Sequence, residues 1–320
     1  MIGKGQGFSA DAETLTAPAG NEAPVQEAAS EAQDARADAL AVHALLIART
    51  YMYTLFHKAL GGEPTQELIE RLTDDVAFDV VDEYAQDETM AGLRGFLRSL
   101  GEADKARTVD AARDECTRTF VGPAMLPALP LESPYVTHDA AVFQENTLAV
   151  RACYRAHGLL PKRYLKLPDD HVALMCDFMA HLAGDALASF EAADAVALKQ
   201  QLAEQHAFVA GHMANWLPEY ARGLRRSKTA VLYPQLVEAL AAFAKLDADF
   251  VVNALEWLGN EACALGADED EPEAFSQVKQ ACEQIRSLRL SGLEDNELAP
   301  IDQVPGHGFV THAPAATACA

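Results

Sequence analysis

The chain has 320 residues, half of them hydrophobic, and a formal net charge of −23 at pH 7. This composition provides a sizeable core, and the negative charge argues against nucleic acid and anionic membranes as partners, because both require a basic surface. The charge favours solubility or a basic partner. The chain has no run of 18 apolar residues and no apolar signal segment in its first 20 residues, so we expect a cytoplasmic protein without membrane insertion, whose six scattered cysteines are reduced.

Helical patterns dominate the chain, with apolar residues recurring every three or four positions. The expected helices cover about 37–60, 64–72, 89–100, 104–120, 140–157, a segment from 168 onwards, 194–212, a short piece reaching 224, 230–265 and 272–289. We find no alternating strand pattern and no internal repeat. The fold class is therefore all-α, as a single globular helical bundle with flexible N- and C-terminal extensions.

Composition divides the chain into three parts. Residues 1–35 contain few large apolar side chains and are expected to form a flexible leader. Residues 36–265 form the helical domain. Residues 266–320 contain an acidic break, a further helix and a tail that we expect to be loose from Gly292 onwards.

One acidic stretch in the helical part, residues 74–88, holds seven carboxylates and no basic residue. Two interpretations remain open for it: a solvated acidic face, or a docking surface for a basic peptide.

A proline-rich stretch from Thr119 to Tyr135 interrupts the helical pattern. Its prolines are Pro123, Pro127, Pro130 and Pro134. Each proline removes an N–H donor and biases the preceding residue away from helix, so we expect a loop here. Its many apolar side chains indicate an ordered loop. The loop is either functional or a rigid connector.

A second stretch of interest begins at Pro168. Proline suits the first position of a helix, and Asp169 and Asp170 would then lie in the first turn, where the helix dipole favours carboxylates. In that interpretation His171 lies at the surface. The alternative is that Asp170 and His171 form a functional pair.

Signatures of catalysis are absent from the sequence. It contains no phosphate loop, dinucleotide fingerprint, zinc-protease motif or nucleophile elbow, and no histidine follows a glutamate by three positions. Asp177 and His181 lie four positions apart, but two candidate ligands do not form a metal site. We therefore predict a protein that is not an enzyme and that has no catalytic residue, metal or cofactor of its own.

Five short motifs, in order along the chain, resemble those of the TorD-like family of cytoplasmic redox enzyme maturation chaperones, which includes the DmsD and NarJ branches. They are Tyr53-Thr54-Leu55-Phe56, Glu115 with Phe120-Val121-Gly122-Pro123, Pro130-Leu131-Glu132-Ser133-Pro134-Tyr135, Pro168-Asp169-Asp170-His171 with Phe178-Met179, and His212-Met213-Ala214-Asn215-Trp216-Leu217-Pro218. The chain departs from the family pattern at Cys116, Thr119 and Met175, where members often have tyrosine, leucine and glutamate.

The resemblance implies an all-α chaperone that binds the twin-arginine signal peptide of the apo-form of a molybdenum-cofactor oxidoreductase and delays export until the cofactor is inserted. It allows a monomer or a homodimer. The implied peptide-binding residues are Phe120, Glu132, Ser133, Tyr135, Pro168, Asp170, His171 and Trp216. In this scheme carboxylates bind the arginine pair and aromatic side chains line an apolar groove. Two alternatives remain: a guanine-nucleotide-dependent switch or GTPase, and a helical scaffold for a folded oxidoreductase subunit.

Overall fold

The computed structural model describes residues 22–122, 125–138, 144–163, 167–226, 231–259, 265–266, 271–291 and 296–304. Within these residues the chain forms twelve α-helices and one two-stranded sheet, which confirms the all-α prediction. The helices are α1 (Glu22–Gly61), α2 (Gln66–Leu72), α3 (Asp75–Asp82), α4 (Glu88–Glu102), α5 (Lys105–Cys116), α6 (Ser133–Val136), α7 (Glu145–Ala156), α8 (Val172–Glu191), α9 (Ala195–His212), α10 (Leu217–Arg225), α11 (Tyr233–Trp257) and α12 (Glu273–Arg286). The strands β1 (Leu159–Pro161) and β2 (Leu298–Pro300) pair antiparallel.

Helices α1 and α8 form the centre of the bundle. Every residue from 46 to 62 is buried, and so are the residues of α8 from Val172 to Cys176. A helix that is apolar on all sides must be enclosed by others. Here α12, α11 and α9 surround the central pair. Burying each large apolar side chain contributes about 1.5–3 kcal/mol, so this pair supplies much of the stability of the fold.

A buried ion pair joins three of these helices. The Arg49 guanidinium donates from Nε to Asp247 Oδ1 at 2.7 Å and from Nη2 to Asp247 Oδ2 at 2.9 Å. Tyr53 donates its hydroxyl to Asp247 at 2.7 Å, and Arg49 also donates to Gln205 at 2.5 Å. The network therefore links α1 to α11 and α9.

Both central helices meet the length and composition expected of a membrane span. These are residues 33–61 and helix α8, and 67 % of the most apolar window of each is buried inside the bundle. Core helices of a bundle meet the same criteria. Our expectation of no such helix rested on a stricter requirement, an unbroken run of apolar residues.

Side chains that accept backbone N–H groups start five of the outer helices. Thr65, Asp74, Asp87, Asp104 and Asp194 each cap one helix in this way. Short polar side chains suit this position because they satisfy N–H groups that have no partner inside the helix. Two carboxylates of the acidic stretch 74–88 therefore act as caps.

Two expected helix starts are wrong. Helix α1 begins at Glu22, well before residue 37, so part of the expected leader is helical; residues 1–21 lie outside the described residues. Helix α8 begins at Val172 with His171 as its N-cap. Asp169 and Asp170 therefore precede the helix. Their carboxylates do not cap it but bind Arg151 and Ser133, respectively.

The proline-rich stretch is helical at both ends, contrary to the prediction. A π-helical turn, Thr117–Val121, continues α5, and Gly122 ends it with φ 80°. At the other end the stretch enters α6. The described residues between these two pieces are non-helical, as the prolines require.

The C-terminal part also differs from expectation. The extra helix α12 is present and contributes Ala281, Cys282 and Ile285 to the main core. The tail is not loose between 296 and 304: β2 pairs with β1, and Asn296 donates to the Gly61 carbonyl at 3.1 Å. Residues 292–295 and 305–320 lie outside the described residues.

The cysteines are only partly as expected. Cys116, Cys176 and Cys282 are free and buried, but Cys153 is disulfide-bonded. The prediction that all six are reduced is therefore wrong for Cys153. Cysteine spacing in the sequence does not report which thiols the fold brings together.

Candidate functional site

The candidate site is built where the proline-rich stretch pairs with the segment before α8. Leu131 and His171 form an antiparallel bridge. Glu132 N donates to Asp170 O at 3.1 Å, and Val172 N donates to Pro130 O at 2.9 Å. This pairing brings two of the family-like motifs side by side, although 37 positions separate Ser133 from Asp170.

Asp170 is the centre of a buried polar cluster, which we call the Asp170 cluster: Glu132, Ser133, Thr147, Asp170 and His171. Asp170 Oδ2 accepts the Ser133 backbone N–H at 2.9 Å and the Ser133 hydroxyl at 2.6 Å. Asp170 Oδ1 accepts the Thr147 hydroxyl at 3.1 Å. Asp170 is only 1 % exposed, so its carboxylate holds α6 and α7 to the start of α8.

Glu132 is fully buried and paired with a histidine. His212 Nδ1 lies 3.2 and 3.1 Å from its two carboxylate oxygens. Burial raises the pKa of Glu132, while the His212 hydrogen bond opposes that rise. The pair connects the Asp170 cluster to the end of α9.

His171 is buried as well, not at the surface. Its Nδ1 accepts the Ala173 N–H at 3.2 Å, which makes it the cap of α8. Burial lowers the pKa of His171 to about 4, helped by the nearby His57. The ring is therefore neutral at pH 7, as its acceptor role requires.

Beside the Asp170 cluster lies a group of stacked aromatic rings, which we call the aromatic stack: Tyr135, Trp216 and Tyr220. Tyr135 stacks on Trp216 with ring centroids 5.4 Å apart and meets Tyr220 at 6.2 Å. Trp216 donates its indole N–H to the His212 carbonyl at 2.6 Å. Through His212 the aromatic stack is therefore joined to Glu132.

Tyr135 also anchors the proline-rich stretch. Its hydroxyl donates to the Leu129 carbonyl at 2.9 Å, and burial raises its pKa to about 12. A Cβ added to Gly223 on α10 would lie 2.8 Å from Ala128 Cβ. The loop therefore rests directly on α10, at a position where glycine leaves room for it.

The remaining predicted site residues lie at the margins. Phe120 packs edge-on against Tyr233, with centroids 4.8 Å apart, and makes no described ring contact with the aromatic stack. Pro168 is half-buried, and its carbonyl accepts the His171 N–H at 3.2 Å. The structure thus joins seven of the eight residues directly or through His212, and leaves Phe120 apart.

Large apolar side chains are exposed around the loop. Met125 is 97 % exposed, Val121 57 % and Val136 40 %. On α10, the exposed Glu219 lies close enough to Tyr135 to help raise the pKa of its hydroxyl. An exposed carboxylate therefore lies near Tyr135, in the part of the chain whose exposed side chains include Val136.

Sequence reasoning missed three polar residues here. Thr147 and His212 complete the Asp170 cluster and its link to the aromatic stack; for His212 the signal was its place four residues before Trp216. The buried Glu115 accepts three N–H groups at the start of α11, from Val231, Leu232 and Tyr233. It belongs to a quoted motif, yet its role is to cap a distant helix.

One group of possible metal ligands occurs among the described residues, away from this site: His43, Glu191 and Glu271. The Lys279 ammonium already binds both carboxylates, at 2.7 Å from Glu191 and 2.6 Å from Glu271. The arrangement is a salt-bridge cluster with its own internal cation.

Comparisons with known proteins agree with the motifs. A family model described as nitrate reductase delta subunit matches residues 82–222. A chaperone protein TorD of Vibrio vulnificus is 28 % identical over 178 residues, which cover 50 % of this chain and 81 % of the relative. A chaperone protein TorD of Photobacterium profundum is 25 % identical over 208 residues, covering 64 % of this chain and 94 % of the relative. No solved structure matches the chain significantly.

The matched segment lies within the expected helical domain and includes the Asp170 cluster and the aromatic stack. The relatives are named as chaperones, which suggests a non-enzymatic role. The family model and the relatives together support the TorD-like family of redox enzyme maturation chaperones for this chain.

Proposed function

We propose that this protein binds the twin-arginine signal peptide of a molybdenum-cofactor oxidoreductase subunit in the cytoplasm, assists insertion of the cofactor and delays export. The observation that carries the proposal is the apolar face around Tyr135. A twin-arginine peptide presents two guanidinium groups followed by an apolar segment, so its receptor needs apolar surface next to carboxylates.

The apolar part of the binding surface is the proline-rich loop. Met125 is almost fully exposed, and so in part is Val136, which directly follows the half-buried Tyr135 in the chain. Exposed apolar surface of this kind is typical of a binding face. Prolines, together with the contacts of Tyr135 and Gly223, order the loop before the peptide arrives, which lowers the entropy lost on binding.

The acidic part of the surface is assigned to Glu219. It stands exposed on α10 near the Tyr135 hydroxyl. Asp170 and Glu132, which the sequence suggested for this role, are 1 % and 0 % exposed and already bound to other groups. In the proposal they position α6 and Tyr135, and the net charge of −23 steers the basic peptide towards the protein.

Titration calorimetry with a synthetic twin-arginine peptide tests the proposal. Met125→Ser removes apolar surface without touching the core, and we expect affinity to fall about tenfold. Glu219→Gln removes one exposed charge, and we expect a loss of roughly two- to fivefold that shrinks at high salt. A twin-lysine peptide should bind less well, because lysine lacks the planar fork of arginine.

The matched control is Glu238→Gln, which changes the net charge equally at an exposed carboxylate paired with Arg225. It should bind the peptide as the wild type does, apart from a small uniform effect of charge. If no variant changes affinity, the peptide does not bind at this face. Binding of a mature, folded oxidoreductase subunit without any binding of the peptide would favour the scaffold alternative.

A further inference from the structure

A second site lies on another part of the bundle, where α1 ends beside α8 and α12. A pocket of about 240 Å³ opens there, closed on one side by the segment that leads into β2. Its lining includes five basic side chains: Lys58, Lys162, Arg286, His57 and His181. So many basic groups around one pocket stand out in a chain with a net charge of −23.

Two carboxylates, those of Glu297 and Asp177, lie among these basic groups, and Glu297 is the one that binds the lysines. Lys58 Nζ donates to Glu297 Oε1 at 2.5 Å, and Lys162 Nζ binds the other carboxylate oxygen. His57 Nε2 lies 4.0 Å from Glu297 Oε1. The pKa of Glu297 is held well below its usual range, because His57 first, and then Lys162 and Lys58, favour the ionised carboxylate.

The Lys58 ammonium needs an anion as a partner in this pocket. Its side chain is only 5 % exposed, and a buried ammonium without a counter-charge strongly destabilises the folded protein. Asp177, the other acidic residue of the lining, accepts the Leu298 N–H at 2.7 Å and lies 3.7 Å from His57 Nε2. Glu297 therefore supplies the anion that Lys58 needs.

The mouth of the pocket offers basic side chains to solvent. Lys162 and Arg286 are each 45 % exposed, Arg286 also donating to the exposed Glu283 at 2.6 Å, and His181 is 44 % exposed. Charged donors with free space beside them suit an oxyanion, which accepts several charge-assisted hydrogen bonds at once. Glu297 sits in the pocket as such a group would.

We propose that this pocket is an oxyanion-binding site, in which the Glu297 carboxylate is the internal occupant and the phosphate or carboxylate group of a small ligand is the external one. Glu297 competes with the ligand for Lys58 and Lys162. Binding would release Glu297 from these lysines and alter the hold of segment 296–298 on the bundle. The site is separate from the Asp170 cluster and does not depend on the proposed peptide face.

The test uses the full chain and Glu297→Gln, which keeps the size of the side chain and removes the competing charge. Calorimetry with inorganic phosphate, and separately with malonate, is done at constant ionic strength set with sodium chloride. We expect Glu297→Gln to bind one of these anions at least tenfold more tightly than the wild type. Its melting temperature should be lower in chloride and recover as that anion is added, because a ligand of the folded state stabilises it.

Recovery with phosphate alone would identify a phosphorylated ligand, and recovery with malonate alone a carboxylate ligand. Glu238→Gln, with the same change in net charge elsewhere, should behave as the wild type. Adding Lys162→Ala to Glu297→Gln should abolish the gain.

The proposal is overturned if Glu297→Gln shows no gain with either anion, or if Lys162→Ala leaves the gain intact. If Glu297→Gln does not fold, the test compares the wild type with Arg286→Ala instead. Arg286→Ala, at the exposed mouth, must then reduce the shift in melting temperature that high phosphate or malonate produces. An equal shift in both proteins would rule the site out.

Discussion

Asp170 accepts both the backbone N–H and the hydroxyl of Ser133 through a single carboxylate oxygen. This double contact fixes the start of α6, and with it Tyr135, to the segment before α8. Because Asp170 is enclosed, its charge serves the architecture of the candidate site and is not offered to a ligand. In the proposed function the peptide therefore binds the apolar side chains of the loop.

Replacing Asp170 with Asn should destabilise the protein. The amide retains one acceptor oxygen, which the Ser133 N–H requires, so its NH₂ group faces Thr147, whose hydroxyl must turn to accept, and the charge that strengthened these bonds is lost. We expect the free energy of unfolding to fall by about 1.5–3 kcal/mol, measured by urea denaturation. Asp185→Asn, an exposed position on α8, should stay within about 0.5 kcal/mol of the wild type. A stable Asp170→Asn protein would contradict the buried role of this carboxylate.

His171 should make stability depend on pH. Its pKa is about 4 in the folded protein against an ordinary value of 6.5, so between these values the unfolded chain binds the proton and the folded one does not. Stability is therefore lost as pH falls from 6.5 towards 4, by about 1.4 kcal/mol per pH unit at most. His171→Asn keeps a side chain that caps helices well and should flatten this slope.

The measurement is the free energy of unfolding in urea at several pH values between 4.5 and 7. His181→Asn, an exposed histidine on the same helix, serves as the control and should leave the slope unchanged. An identical slope in His171→Asn and the wild type would assign the pH dependence to other groups.

Glu115, which lies on α5, should stabilise the start of α11. Its two oxygens accept the N–H groups of Val231, Leu232 and Tyr233 at 2.9, 2.6 and 3.2 Å. Glu115→Gln leaves one acceptor oxygen for these donors, and we expect a loss of about 1.5–3 kcal/mol in thermal or urea unfolding. The neighbouring Asp114 is exposed, so Asp114→Asn should have little effect. Equal stability of the two variants would remove the capping role of Glu115.

The ion pair between Arg49 and Asp247 gives a further prediction. Asp247→Asn leaves the buried Arg49 guanidinium without its counter-charge, which should cost about 3–5 kcal/mol of unfolding free energy. Asp249, exposed on the same helix, provides the matched control as Asp249→Asn. Only a small loss in Asp247→Asn would mean that Gln205 and Tyr53 suffice to hold the guanidinium.

Gly223 offers a test of the loop that leaves every proposed contact side chain in place. Alanine normally stabilises an exposed helix position by about 0.5–1 kcal/mol relative to glycine, and Gly211→Ala, with open space around it, should show this gain. In Gly223→Ala the new Cβ would meet Ala128 and push the loop from α10. We expect weaker binding of the twin-arginine peptide by calorimetry in Gly223→Ala only. Unchanged binding would mean that the position of the loop does not matter.

Much of the fold could be predicted from the sequence because its signals are local. The extents of α9 and α10 follow from apolar periodicity, Asp194 as a cap and Pro218 in a first turn. The end of α1 follows from Gly61 and Gly62. The family-like motifs also selected the residues of the Asp170 cluster, apart from Thr147.

The features that were missed depend on contacts between distant parts of the chain. The start of α8 was misplaced because Asp170 binds Ser133 and does not enter the helix. His171, an unusual capping residue, is the N-cap instead. Pairing of β1 with β2 involves three residues on each strand, too few to show alternation. The burial of Asp170 is a tertiary property that no local pattern reports.

The contact between Asn296 and the Gly61 carbonyl spans 235 positions. During synthesis, α1 emerges from the ribosome long before the residues that cover its C-terminal end. Lys58, at that end, therefore lacks its partner Glu297 until that much later segment has been synthesised. The end of α1 can be covered only after segment 296–304 has left the exit tunnel, so the nascent chain passes through a stage in which its central helix is incompletely covered.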